Sequence, residues 1–316
     1  MHVSRPRKHR PYRHVDSYRW LRSDGTPNFN DSIHRAEREL QLLARRNPRM
    51  VSPSTVVMRA LEEMASHGRG LIVSSSDRRL EGLLTLGDVI SYLGGGEYYR
   101  IIESRHGYSL YSALEKEVVE TIMVRNPVYL YVDNTLTEVL ESMITHGIGI
   151  IPILNKDGTV YGILTEHDLV KYLYGVTSTG LKTGEVMSKP VVTASADDTL
   201  KATLEKMVAY GFRRLPVVHE DRVAGIVTAV DVVRYFGSHQ ALRDSTSGDI
   251  REIHSKRIRD LMRSDLVAVK PDDDLAEAVR EMLDKNVSSV LVVDEDGVLQ
   301  GIVTERDVLY ALVIAR

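Results

Sequence analysis

The chain has 316 residues, of which 43% are hydrophobic and 27% charged, and it contains no cysteine. These values are typical of a globular chain, and the length is sufficient for two domains of ordinary size. The lack of cysteine excludes disulfides, thiolate metal sites and cysteine nucleophiles. The longest clean apolar run, from Gly147 to Leu154, is too short to cross a membrane. We therefore expect a cytoplasmic protein without a membrane partner.

The first 22 residues are strongly basic. They contain seven arginines and lysines against one acid, although the whole chain has a formal net charge of −3. Arginines neutralise phosphates and aromatic rings stack on exposed bases, so a segment that mixes the two predicts RNA binding. The candidate RNA-binding residues are Arg5, Arg7, Lys8, Arg10, Tyr12, Arg13, Tyr18, Arg19, Trp20 and Arg22. The alternative is a tail that only keeps the protein in solution.

The rest of the chain contains a fourfold repeat. Four segments share the pattern Gly, two aliphatic residues, Thr, two variable residues and Asp, and they begin at Gly82, Gly162, Gly225 and Gly301. Recurrence of this kind indicates that the fold is built from repeated units. Each unit of 55 to 60 residues is roughly the smallest size that folds alone, so we predict that units pair, the first with the second and the third with the fourth.

Each repeat predicts the same order of elements. An extended stretch comes first, and a helix follows with apolar residues at i, i+4, i+7 and i+8. In the second repeat these residues are Leu136, Leu140, Met143 and Ile144. Two short strands then follow, here Ile150–Leu154 and Val160–Leu164, joined by a turn that ends at Gly158. The Thr-x-x-Asp segment opens a second helix, which completes a β-α-β-β-α unit.

This motif and its position resemble those of cystathionine-β-synthase-type (CBS) domains, over roughly residues 40–316. The segment Tyr92–Tyr99 and the long insertion up to Val118 are similar to archaeal four-CBS relatives of the AMP-activated protein kinase γ subunit. The resemblance implies an α+β fold in which four CBS units form two tandem modules that pack into a disc, with nucleotide clefts between paired units. The implied boundaries are a basic extension at 1–39, one module at 40–176 and a second module at 177–316.

The resemblance also implies roles for the repeated residues. In that family the aspartate grips the ribose of a nucleotide, and the threonine lies beside it. The residues at these positions are Thr85 and Asp88, Thr165 and Asp168, Thr228 and Asp231, and Thr304 and Asp307. The alternative is structural, because Thr-x-x-Asp also fits a capping box that satisfies free amides at a helix start.

Phosphate groups require cations or free amides. Arg213 and Arg214 directly precede Leu215 and Pro216. In the kinase γ subunit a His-Arg pair at the matching position contacts phosphate, so the resemblance implies a phosphate contact for these two arginines. Arg69 lies one position earlier in the first repeat, and the second and fourth repeats have no cation there. His167 and Arg306, inside their own Thr-x-x-Asp segments, are further candidates.

Catalysis and metal binding have little support in the sequence. The repeats do not place a nucleophile against a base, and the histidines have no metal-ligand spacing. We therefore expect a non-enzymatic sensor of AMP, ADP or ATP, without a required metal. In the favoured interpretation it binds RNA or the ribosome through residues 1–22 and down-regulates translation when energy is low, as in ribosome hibernation. The alternatives are a γ-like regulatory subunit of a kinase or other enzyme, and a sensor of S-adenosylmethionine-type nucleosides. Either a monomer or a homodimer through the CBS modules is expected.

Overall fold

The structure is a computed structural model that describes residues 22–23, 28–31, 33, 39–67, 70–174, 180–220 and 222–314. The described residues form two compact units. Unit one contains the described parts of Arg49–Pro127 and Val192–Asp265. Unit two contains the described parts of Pro11–Pro48, Val128–Val191 and Leu266–Arg316. None of the described helices is long and apolar enough to cross a membrane.

The first half of the chain contains two repeats separated by an insertion. The elements before and within the first repeat are α1 (Leu40–Leu43), β1 (Arg45–Arg46), β2 (Met50–Val51), α2 (Val57–His67), β3 (Leu71–Ser74), β4 (Leu80–Leu84) and α3 (Leu86–Ile90). The insertion contains a π-helical turn (Ser91–Gly95), α4 (Tyr99–His106) and α5 (Leu110–Glu115). The second repeat follows with a 3₁₀ turn (Val119–Thr121), β5 (Leu130–Tyr131), α6 (Leu136–His146), β6 (Ile150–Leu154), β7 (Val160–Thr165) and α7 (Glu166–Tyr174).

The second half repeats this order. The third repeat and the helices after it are α8 (Thr183–Val186), β8 (Ala194–Ser195), α9 (Leu200–Tyr210), β9 (Arg214–His219), β10 (Arg222–Thr228), α10 (Ala229–Gly237), α11 (Gln240–Asp244) and α12 (Ile250–His254). The fourth repeat contains a 3₁₀ turn (Ile258–Asp260), β11 (Ala268–Val269), α13 (Leu275–Asp284), β12 (Ser289–Val293), β13 (Leu299–Thr304) and α14 (Glu305–Val313). The α+β fold and the β-α-β-β-α order predicted from the sequence are confirmed.

Each repeat builds its own small sheet. The first strand runs parallel to the second, which is antiparallel to the third, as in β5, β6 and β7. The first helix connects the two parallel strands, as a parallel pair requires. In the second repeat the apolar face of α6 that the sequence predicts, from Leu136 to Ile144, is buried. This helix ends at Gly147, which adopts a left-handed φ of 64° that favours glycine.

Two hydrophobic cores form, one in each unit, and each combines repeats that are not neighbours in sequence. In unit one, α2 of the first repeat packs against α10 of the third. The contact is close, because a Cβ on Gly237 would lie 2.5 Å from the carbonyl oxygen of Leu61. In unit two, α7 of the second repeat packs against α14 of the fourth. The helical cores therefore do not follow the predicted pairing of neighbouring repeats, since an apolar helix face does not specify its partner.

Neighbouring repeats are instead connected through the segments that precede them. We call these the lead-in segments: residues 39–46, 119–125, 182–190 and 258–264. Each lies against the last strand of the neighbouring repeat's sheet, as in the bridges of Val124 to Leu83 and Arg263 to Ile226. The first and second repeats exchange lead-in segments in this way, and so do the third and fourth. The module boundaries at 40–176 and 177–316 stay a prediction.

The glycines at the insertion serve close packing. Gly94 and Gly95 lie in the π-helical turn, and Gly96 follows it. A Cβ on Gly95 would lie 2.5 Å from the carbonyl oxygen of Leu204 in α9, and a Cβ on Gly94 would lie 2.7 Å from His254 Nε2. Only residues without a side chain allow the π-helical turn to approach α9 and α12 this closely.

Candidate functional site

The four Thr-x-x-Asp segments adopt one geometry, at the point where the last strand of each repeat becomes its second helix. In each, the threonine hydroxyl donates to the aspartate Oδ2 at 2.5 or 2.6 Å, and the threonine amide donates to the same oxygen at 2.8 to 3.0 Å. The aspartate amide donates back to the threonine Oγ1 at 3.2 to 3.4 Å. The capping-box interpretation is therefore correct for Thr85, Thr165, Thr228 and Thr304.

Capping accounts for one oxygen of each aspartate. The cap engages Oδ2, and Oδ1 lies outside the cap in Asp88, Asp168, Asp231 and Asp307. Glutamate can also close a capping box, as Glu138 does with Thr135 at the start of α6. A cap alone thus does not require aspartate at four second helices. The second carboxylate oxygen can accept a hydroxyl from a ligand, which is the chemistry that a ribose requires.

Arg213 and Arg214 lie next to the Thr-x-x-Asp segment of their own repeat. Arg214 opens β9 opposite Thr228 at the end of β10, and the amide of Ala229 donates to the carbonyl of Arg213 at 2.8 Å. The third repeat therefore places the backbones of Arg213 and Arg214 at the end of the sheet where the helix of Asp231 begins.

The equivalent position in two other repeats carries no cation. The same backbone hydrogen bond runs from Glu166 to Gly149 in the second repeat and from Glu305 to Ser288 in the fourth. Of these three aligned positions, residue 213 alone supplies a positive charge. Arg69 lies outside the described residues, so a phosphate role for this arginine in the first repeat stays a prediction.

His167 and Arg306 are engaged by carboxylates in unit two. Arg306 Nε lies 2.6 Å from Glu166 Oε1, and His167 Nδ1 lies 2.6 Å from Glu305 Oε1. The pairs cross between α7 and α14, so each motif supplies one carboxylate and one nitrogen. Burial lowers the pKa of Arg306, but Glu166 beside it outweighs burial and raises the pKa overall. A phosphate role for either side chain stays a prediction.

The lead-in segments supply residues at the site that the sequence analysis missed. Arg45 Nε lies 3.2 Å from both carboxylate oxygens of Asp168. The Ser188 hydroxyl donates to Asp307 Oδ1 at 2.9 Å. A signal was present, because Met123, Met187 and Met262 recur at the same place before three repeats. Each packs against the glycine that opens another repeat's motif, Gly82, Gly301 or Gly225.

Most of the predicted RNA-binding residues lie outside the described part of the chain. This applies to Arg5, Arg7, Lys8, Arg10, Tyr12, Arg13, Tyr18, Arg19 and Trp20. Arg22 is described and exposed. The predicted RNA contacts of this segment stay a prediction.

Four β-α-β-β-α repeats, each with a capped aspartate at the start of its second helix, define a class of tandem-repeat proteins. The family model of the CBS domain matches residues 38–95, 119–175, 184–238 and 258–314. The chain therefore belongs to the CBS-domain family, and the resemblance noted in the sequence is confirmed.

Two archaeal relatives cover most of the chain. The uncharacterized protein MJ1225 of Methanocaldococcus jannaschii is 31% identical over 261 residues, which are 82% of this chain and 93% of the relative. Its crystal structure, of a proposed archaeal homologue of the AMPK γ subunit, matches with a TM-score of 0.80 and 30% identity over 86% of this chain and 99% of that one. An uncharacterized 33.4 kDa protein in the ribosomal RNA operon of Thermofilum pendens is 33% identical over 269 residues, 84% of this chain and 88% of the relative.

Proposed function

We propose that this chain is a non-catalytic regulator that binds an adenine nucleotide, AMP, ADP or ATP, at its Thr-x-x-Asp segments. The observation that carries the proposal is the third repeat, where Arg214 pairs with the threonine that caps Asp231 and Arg213 precedes Arg214. A carboxylate suits ribose hydroxyls and guanidinium groups suit phosphate. We infer that Asp231 accepts the ribose and that the arginines contact the phosphate.

The sharpest test changes Asp231 without removing the cap. In Asp231→Asn the amide oxygen can still accept from the amide of Thr228, while the remaining NH₂ can no longer accept a ribose hydroxyl. A charge-assisted hydrogen bond contributes about 1.5–3 kcal/mol, so calorimetry with AMP should show roughly a ten- to hundredfold loss of affinity at this cleft. Glu138→Gln is the matched control, since Glu138 closes a capping box at a helix that carries no proposed ligand. AMP binding by Asp231→Asn at wild-type affinity would refute the ribose role.

A separate test is needed for the chemical identity of the ligand, that is, for its base and for the number of its phosphate groups. Thr-x-x-Asp by itself fits any ribose, including that of S-adenosylmethionine. If Arg213 and Arg214 contact phosphate, Arg213→Ala should weaken AMP binding and leave the binding of adenosine unchanged. Preferential binding of S-adenosylmethionine, with no effect of Arg213→Ala, would favour the nucleoside alternative.

The output that we propose is RNA or ribosome binding through residues 1–22, with lower translation in low-energy states. The support is the composition of the segment, together with a relative whose name places it in a ribosomal RNA operon. A segment of net charge +6 that contacts about five phosphates should give a log–log salt slope of roughly −3.5 to −4.5. Replacing Tyr12, Tyr18 and Trp20 by leucine keeps the charge and tests stacking.

The second candidate output is regulation of a partner enzyme such as a kinase. It is favoured by the likeness to MJ1225, which is described as a proposed homologue of the AMPK γ subunit. Sedimentation with ribosomes distinguishes the two outputs. If the full chain sediments with ribosomes and residues 23–316 do not, the RNA proposal stands. If both sediment equally, or neither does, the partner-enzyme candidate takes its place.

A further inference from the structure

One position of each lead-in segment faces a Thr-x-x-Asp segment in the same register. Each lead-in bridges to the residue two positions before the threonine of the neighbouring repeat. The four bridges are Val124 to Leu83, Arg45 to Ile163, Arg263 to Ile226 and Ser188 to Ile302. The register is the same in all four, and at two of these positions the side chain contacts the aspartate of that motif, Arg45 with Asp168 and Ser188 with Asp307.

The side chains at this position differ in what they offer the aspartate. Arg45 contacts both oxygens of Asp168 directly, and Ser188 donates to Asp307. Arg263 is held mainly by Asp265, at 3.0 Å and 2.5 Å. Asp231 acts on Arg263 only through its charge, as one of the smaller causes that raise the pKa of this arginine.

The Arg45 contact is the one that competes with a ligand. Asp168 is largely buried, with 14% of its side chain exposed, while the Arg45 side chain is 49% exposed. The guanidinium group therefore covers the carboxylate from the solvent side. A carboxylate has about four acceptor positions, and the amide and hydroxyl of Thr165 take two of them at Oδ2. The two hydroxyls of a ribose would need the positions of Oδ1, from which Arg45 Nε lies 3.2 Å.

We propose that Arg45 is an internal occupant of the Asp168 site, so that a nucleotide binds the second repeat only by displacing it. The inference rests on the proposed ribose role of the Thr-x-x-Asp aspartates. It makes the lead-in residue a determinant of which clefts bind ligand.

Displacement of Arg45 would also act on the N-terminal segment. Arg45 belongs to β1, a two-residue strand held on β7, and the chain before it is the basic extension. By linkage, a ligand that releases Arg45 loosens this strand, and loss of the strand strengthens ligand binding by the same factor. The nucleotide state of the second repeat would in this way reach residues 1–22.

The first experiment measures AMP binding to Arg45→Ala by calorimetry. A half-exposed ion pair shifts an equilibrium by roughly two- to fivefold, so AMP affinity at one cleft should rise by about that factor. Arg46→Ala is the matched control. It is the neighbouring arginine on β1, and its guanidinium lies over the ring of Tyr161, 5.3 Å from the centroid. Asp168→Asn should cancel the gain in Arg45→Ala.

Weaker AMP binding by Arg45→Ala would overturn the proposal, because Arg45 would then be a ligand contact. Unchanged binding, or an equal gain in Arg46→Ala, would overturn it as well.

The second experiment does not depend on nucleotide. Hydrogen exchange of the amides in residues 39–46 should be faster in Asp168→Asn than in the wild type, and as fast as in Arg45→Ala. Equal exchange in Asp168→Asn and wild type would overturn the occupant role of Arg45. If AMP fails to bind any form while exchange rises as expected, the contact holds and the proposed nucleotide function fails. If AMP binds, its addition should raise exchange in residues 39–46, and protection there would contradict the displacement.

Discussion

The two units solve the same packing problem with different chemistry. In both, the second helices of two non-neighbouring repeats pack against each other, α3 with α10 in unit one and α7 with α14 in unit two. Unit two fills the variable positions with crossed pairs, Glu166 with Arg306 and His167 with Glu305. Unit one has Leu86 and Ala229 at the positions of the two glutamates, and both are buried. The threonine and aspartate are the same in all four repeats because they form the helix cap, while the residues between them serve the helix contact.

This contrast predicts a large effect from breaking one pair in unit two. Arg306→Ala leaves Glu166 buried and without its ion-pair partner, which should lower the free energy of unfolding by about 3 kcal/mol. Chemical denaturation of the variant checks the value. The double variant Glu166→Leu with Arg306→Leu imitates the apolar junction of unit one, and its loss should be smaller than that of Arg306→Ala alone. A single variant as stable as the wild type would show that the crossed pairs do not support unit two.

The second prediction concerns packing in unit one, where a glycine of the insertion lies close to the backbone of α9. Gly95→Ala would place a Cβ 2.5 Å from the Leu204 carbonyl oxygen, so we expect a loss of about 1–3 kcal/mol from overpacking. Gly87→Ala is the control, because its Cβ would meet only Thr85 Oγ1 at 3.5 Å. That variant should be neutral or more stable by up to about 1 kcal/mol, as alanine favours helix. Equal thermal midpoints for both variants would contradict the close approach.

The elements and the caps could be predicted from the sequence, because they depend on residues close together in the chain. The apolar face of α6 follows from a period of 3.6 residues, and the cap of Thr165 by Asp168 spans three residues. The partner of each helix could not be predicted, since an apolar face is satisfied by any apolar neighbour. The sequence predicts that neighbouring repeats pair, and it gives no sign that the helical core of unit one joins the first repeat with the third.

The missed contacts at the site have a related cause. Glu166 and Arg306 are 140 positions apart in the chain. From the sequence alone, each would be predicted as a solvent-exposed charge at the start of a helix. Arg45 lies before the first repeat and reaches the second through an exchanged strand. The strand register decides which carboxylate a distant arginine contacts. A strand of two residues is too short for its hydrophobic pattern to specify the register.

The third prediction tests whether the caps are equivalent in the two units. Thr228→Ala in unit one and Thr304→Ala in unit two remove the same hydroxyl from the same geometry. Each should lose about 1 kcal/mol of the free energy of unfolding, the usual effect of removing an N-cap. Thr→Ser at either position keeps the hydroxyl and should restore most of the loss. A much larger loss in Thr304→Ala would indicate that the buried Asp307 depends on its threonine for more than capping.

The smallest effect is expected from acid, at a buried polar cluster that unit one holds in its insertion. Glu117 accepts from the Val118 amide at 3.1 Å and pairs with His106 Nε2 at 3.0 Å. Burial raises the pKa of Glu117, but the hydrogen bonds from His106, Val118 and Thr121 outweigh it, so the pKa lies below the ordinary value of 4.5. The folded state therefore binds this proton less readily than the unfolded state. The contribution of the Glu117 carboxylate to the free energy of unfolding is therefore complete above pH 4.5, and it is lost as the pH falls through the pKa of the folded state.

Glu117→Gln separates this carboxylate from the other acids of the chain. The amide keeps the shape and one acceptor but has no charge, so the variant should lose about 1 kcal/mol at neutral pH, the difference between a charged and a neutral hydrogen bond. Below pH 4.5 the wild type should approach the variant, because its own carboxyl becomes protonated. Denaturation of both proteins across pH 3 to 7 measures the gap. A gap that stays constant over this range would show that the charge of Glu117 does not stabilise the insertion, and the insertion would then rest on its buried apolar side chains, such as Ile102 and Leu110.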